Sequence, residues 1–136
     1  MLAPKKVKYR KSQRTDKIRG VATRMNEVSF GQYGLKSLEA SWVTARQIEA
    51  ARRTLSRFIA RGGRIWIRIF PDKSITEKGN EMPMGKGKGA VDHYVAVVKP
   101  GTVMFEMSGI DADTARKALS SAGYKLPVKT KFIVKQ

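Results

Sequence analysis

Between Thr44 and Phe70 the chain changes its hydrophobic period across a double glycine, and each half carries one apolar face. Ile48, Ala51, Leu55, Phe58 and Ile59 fall on one side at about 100° per residue, the period of an amphipathic helix. Thr44 with Gln47 three residues on forms a capping-box signature, and Gly62-Gly63 supplies the stop. Directly afterwards Arg64 to Phe70 alternates strictly. Ile65, Ile67 and Ile69 lie on one side, and Arg64, Trp66, Arg68 and Phe70 on the other, which is a strand with a single core face.

The flanking sequence extends this pattern. Val28 to Leu38 is strand-like, with Gly31 and Gly34 marking a bulge or a close backbone approach. Ser74 to Lys78 is a short candidate strand. Asp92 to Val98 reads as a strand, Pro100-Gly101 as a turn and Thr102 to Met107 as the hairpin partner. Asp111 caps a second helix through Ala122, with Ala115, Ala118, Leu119 and Ala122 inward and Gly123 as terminator. After the Leu126-Pro127 break, Thr130 to Val134 forms a last strand. The succession implies an α+β two-layer sandwich, two helices covering one face of an antiparallel or mixed sheet.

The charge names a partner class. With 28 Lys and Arg against 11 Asp and Glu, the net charge is +17 on 136 residues. A surface this basic binds polyanions by counterion release, and nucleic acid above all. Residues 1–24 carry Lys5, Lys6, Lys8, Arg10, Lys11, Arg14, Lys17, Arg19 and Arg24 against Asp16 alone. With few large apolar residues, this segment is expected to be an extended arm that orders on RNA or DNA; a solvated tail is the bland alternative. Residues 25–136 form the single globular domain.

Within that domain Arg46, Arg53, Arg57 and Arg61 cluster opposite the helix's apolar stripe. Their planar guanidinium forks suit phosphate oxygens, so the ridge is a candidate RNA-binding face beside the plainer reading of a solvated surface. Arg64 and Arg68 share a strand face with aromatics that either stack on bases or make internal cation–π contacts. Packing is the expected role for Trp66, and a staple or core role for Trp42. The loop 79–89 contains Met84, Gly85, Lys86, Gly87, Lys88 and Gly89, where glycine permits close backbone approach and lysine offers point charges to phosphate.

Enzyme readings find little purchase. The phosphate-cradling loop of nucleotide hydrolases needs four residues between its first Gly and the Gly-Lys, then Ser or Thr; here five residues separate Gly79 from Gly85 and Gly87 follows Lys86. Gly85, Gly87 and Ala90 satisfy the loose dinucleotide pattern, but a strand follows where a helix is required. The absence of cysteine excludes disulfides and thiolate chemistry. Asp92 and His93 are adjacent on a strand and so are expected on opposite faces, no ready acid–base pair. Glu77, Glu81 and Glu106 show no metal-ligand spacing. No cofactor, metal, small-molecule substrate or membrane anchor is expected.

Four strings then become familiar in order: VSFGQYGLK at 28–36, TARQIEAARR at 44–53, IWIRIFPDK at 65–73 and MGKGKG at 84–89. Together they closely resemble the bacterial-type large ribosomal subunit protein sixteen, the universal ribosomal protein sixteen family, over essentially the whole chain. The resemblance implies a structural protein that docks on large-subunit rRNA near the aminoacyl-tRNA site and supports late assembly and tRNA placement. Its implied partners are that rRNA, aminoacyl-site tRNA and neighbouring large-subunit proteins. Its implied place is the ribosome, in the cytoplasm or in an organelle matrix. The loop 79–89 would extend towards the functional RNA centre. Some members carry a hydroxylatable arginine just before the MGKGKG string; Pro83 stands there instead, so that modification is not carried over. Two other readings stand beside it: a free-standing RNA-binding assembly factor or regulator, and, third, a phosphoryl-transfer enzyme using the glycine loop.

Overall fold

A computed structural model describes residues 1–6, 18–59, 62–77 and 89–136. In chain order the elements are β1 (Tyr33–Ser37), β2 (Ser41–Thr44), α1 (Ala45–Phe58), β3 (Arg64–Ile67), β4 (Lys73–Glu77), β5 (Ala90–Val98), β6 (Val103–Ser108), α2 (Ala112–Gly123) and β7 (Thr130–Val134). The expected α+β architecture stands, and every strand pairing among the described residues is antiparallel.

The strands divide into two sheets, of order β3-β6-β1-β7 and β2-β5-β4. One expectation is corrected here. Thr102 to Met107 does not form a hairpin with Asp92 to Val98; β6 lies between β3 and β1 in the other sheet. The turn that joins them is tied to β1, since Gly101 N–H donates to Ser37 O at 2.7 Å and Ser37 N–H to Thr102 O at 2.8 Å. Gly101, at φ +93°, supplies the left-handed step that this change of sheet requires. The turn carries the chain across between sheets instead of folding it back.

Both sheets nevertheless feed one core. Leu35 and Phe105 from the larger sheet, Val43, Ala96 and Val98 from the smaller, and Ile48, Leu55 and Leu119 from the helices form a continuous buried cluster. The helices pack on each other; α1 also touches β2, β3 and β5, and α2 touches β1 and β7. The apolar stripe of α1 is buried as expected at Ile48, Ala51 and Leu55, with Phe58 and Ile59 packed alongside. Thr44 and Gln47 close the capping box, with N–H to side-chain oxygen distances of 3.1 and 2.9 Å. The helix ends at Phe58, before the double glycine, because Ile59 turns to extended geometry (φ −86°, ψ 122°).

The second face of the larger sheet is covered in part, around Gly34 and Glu106. Val28 to Leu38 is strand only from Tyr33 onward. The residues before it form a strap across β6, with Gln32 N–H donating to Met107 O at 2.9 Å. Gly31 is required by this crossing, since a Cβ there would sit 2.6 Å from the Met107 carbonyl oxygen.

Candidate nucleic-acid interface

The buried stripe of α1 fixes what its opposite side shows. Arg46, Arg53 and Arg57 are all exposed, and the capping box that starts the helix also sets their azimuth. Glu49 is the acid beside them. It engages mainly Arg52, with Nε–Oε2 at 3.0 Å and Nη2–Oε1 at 2.5 Å, and reaches Arg53 Nε only at 3.3 Å. Hydrogen bonding from Arg52 is the main reason that the Glu49 carboxyl is lowered to about 2. Arg53 therefore keeps most of its guanidinium in solvent, at 71% side-chain exposure. Arg61, the last member of the expected ridge, lies outside the described residues.

Arg64 and Arg68 share a face of the chain around β3, but the structure separates their roles. Glu106, opposite Trp66 on β6 and fully buried, accepts hydrogen bonds at Oε1 from the backbone N–H groups of Ser29, Phe30 and Gly31 at 3.0, 2.7 and 2.8 Å. Arg68 donates to its other oxygen. Burial alone would raise the Glu106 pKa, but the three amides and the guanidinium outweigh it and hold the carboxyl below its usual value. Arg68 is accordingly turned inward, its side chain 13% exposed. Arg64 is exposed, with its guanidinium carbon 5.0 Å from the Trp66 ring centroid. Trp66 in turn stacks against Phe30 at 6.4 Å, the packing role expected of it.

Of the arm's cations, Lys5, Lys6, Arg19 and Arg24 are exposed; Lys8, Arg10, Lys11, Arg14 and Lys17 lie outside the described residues. Parts of this segment rest on the domain. Leu2 packs against the core, and Ala22 N–H donates to Pro100 O at 2.9 Å. Of the glycine–lysine loop, Met84, Gly85, Lys86, Gly87 and Lys88 also lie outside the described residues, and Gly89 leads directly into β5.

A second expectation is corrected at Asp92 and His93, whose Oδ2 and Nδ1 approach to 2.6 Å. The β4–β5 register slips between Ile75, which faces His93, and Thr76, which faces Val91, so Asp92 is an extra residue in a bulge. A bulge re-aims its side chain, and strict alternation fails there. The pair borders an open cavity of about 780 Å³ also lined by Met1, Leu2 and Arg46. Among the described residues no three His, Asp or Glu side chains are grouped to hold a metal ion.

Sequence reasoning missed two of these residues. Glu106 appeared only as one acid among several, and Phe30 only within a motif. The available signal was Gly31, whose close approach implied that its neighbours press onto another strand.

The chain is thus a basic α+β protein that presents exposed arginines on α1 from an internally braced framework. Residues 4–133 match the family described as Ribosomal protein L16p/L10e. The large ribosomal subunit protein uL16c of Thalassiosira pseudonana is 59% identical over 136 residues, covering 100% of this chain and 98% of that protein. Large ribosomal subunit protein uL16 of Trichodesmium erythraeum is 56% identical over 136 residues, with the same coverage. That of Gracilaria tenuistipitata, uL16c, is 54% identical over 136 residues and 100% of both chains. The chain belongs to the ribosomal protein L16p/L10e family. It is thus a structural ribosomal protein and not an enzyme, residing on the ribosome in the cytoplasm or an organelle matrix. Among the described residues no helix is long and apolar enough to cross a membrane.

Proposed function

We propose that this protein is a structural constituent of the large ribosomal subunit that binds rRNA near the aminoacyl-tRNA site, supporting subunit assembly and tRNA placement. The observation that carries the reading is the row Arg46, Arg53 and Arg57, exposed on the side of α1 opposite its buried stripe. A rigid helix holding guanidinium groups in register matches the spaced phosphates of a folded RNA backbone. Arg64, Arg61 and the arm cations Lys5, Lys6, Lys8, Arg10, Lys11, Arg14, Lys17, Arg19 and Arg24 extend the contact. Arg68 contributes indirectly, since its charge is committed to Glu106. Lys86 and Lys88, carried by the loop 79–89, reach towards aminoacyl-site tRNA or the rRNA around it. Neighbouring large-subunit proteins complete the set of partners.

The test is sedimentation of the tagged protein in a lysate, with large-subunit particles washed in rising salt. Stoichiometric retention through the wash is the expected result, because shaped contacts persist where electrostatic adhesion dissociates. Release at modest salt would replace this reading with that of a transient RNA-binding assembly factor.

A further inference from the structure

We infer that Phe30 is a stacking platform for an unpaired nucleobase, flanked by cations that receive the adjoining phosphates. The inference rests on the RNA-binding reading above and adds a single-strand site to it. Phe30 is 60% exposed although it is a large apolar residue. Its main chain is nonetheless tied down. Its N–H bonds the buried Glu106 carboxylate at 2.7 Å, with Ser29 and Gly31 bonding the same oxygen on either side. The strap passes close to β6, since a Cβ on Gly31 would meet the Met107 carbonyl oxygen at 2.6 Å. The backbone is anchored inside while the ring is left outside.

The surroundings of the ring decide what fits it. Trp66 lies nearly parallel to it, 19° between planes, and the Arg68 guanidinium carbon sits 4.7 Å from its centroid. Arg64 continues the row beyond Trp66, and Lys135 Nζ reaches the Ser29 carbonyl at 3.4 Å. An aromatic surface bordered by Arg64 and Lys135 complements a ligand that is aromatic and anionic at once. A nucleotide from a loop or bulge has that character, its base free to stack and its phosphates reaching the cations. Bases within a duplex are already stacked and present only their edges and backbone. The site therefore selects single-stranded RNA, in contrast to the phosphate-directed face of α1.

The experiment measures full-length protein binding to a short labelled oligouridylate and to an RNA duplex of similar charge. Wild type, Phe30→Leu and Phe30→Tyr are compared, with melting midpoints as a control. Leucine keeps the apolar cover over Arg68 but removes the π-face. Expected are a fall of about 5- to 100-fold in oligouridylate affinity for Phe30→Leu, unchanged duplex affinity and salt slope, and near wild-type binding for Phe30→Tyr. Unchanged oligouridylate binding by Phe30→Leu overturns the inference and leaves RNA binding standing. So does an equal fall on both probes, or failure of tyrosine to restore binding. Failure of wild type to bind either probe at low salt overturns the RNA-binding reading itself, and this inference with it.

Discussion

An ionised carboxylate with no water around it is costly unless each lone pair finds a donor, and Glu106 meets that demand with three amides and one guanidinium. The donors come from the strap before β1 and from the residue just after β3, so a single side chain joins segments about 40 and 75 residues away. Glu106→Gln keeps the shape and removes the charge, leaving Arg68 largely buried without its partner. A loss of about 3 kcal/mol is expected, the lower end for a broken buried pair because Arg68 retains some solvent contact. The pH dependence has a definite sign. The folded carboxyl lies below its ordinary value of 4.5, so its contribution is fully present above that pH. It fades as acidification passes down through the lower folded value. Denaturant titrations of both proteins across this acid range should show the stability gap narrowing as pH falls; a constant gap would assign the loss to shape and not charge.

Helix α1 separates stability from binding on its two sides. Leu55 is fully buried, and Leu55→Ala should cost about 2–5 kcal/mol, read as a lower unfolding midpoint with RNA affinity of the remaining folded protein unchanged. Arg53→Glu with Arg57→Glu should do the reverse. Both side chains are exposed, so the midpoint should move by only a few degrees, much of it from placing an acid at the helix C-terminus. RNA affinity and its salt slope should both fall, and a large loss of midpoint instead would mean that the arginine face is packed. This division was legible in the sequence because period, cap and stripe are all local to 44–59. The adjoining β2 escaped notice. Ser41–Thr44 is too short to show a period, and its strand character comes from pairing with β5. The Asp92–His93 contact escaped for a similar reason, since nothing local to the sequence marks the slip in register that creates it.

At the scale of the molecule, the sequence supplied the elements apart from β2 but misled on which strands are neighbours. A turn such as Pro100-Gly101 reads as a hairpin from composition alone, whereas its hydrogen bonds to Ser37 and the ladders of β6 with β1 and β3 set β6 in the other sheet. The buried role of Glu106 was hidden by the same non-locality, while the exposed arginines of α1 were readable because a helix face needs no distant partner. Two sheets could behave as two units, but Val98 of the smaller sheet and Leu119 of α2 lie in one buried cluster with Leu35 and Phe105 of the larger. That continuity predicts a single cooperative unfolding transition. Val98→Ala and Leu119→Ala should each lower the same midpoint, followed both by far-ultraviolet circular dichroism and by tryptophan fluorescence. Trp42 in β2 and Trp66 in β3 place one reporter in each sheet. If Val98→Ala instead shifted the signal of Trp42 while that of Trp66 held its midpoint, the smaller sheet would open independently. The scaffold's arginine face would then rest on a framework that can loosen in parts, because α1 is braced against both sheets.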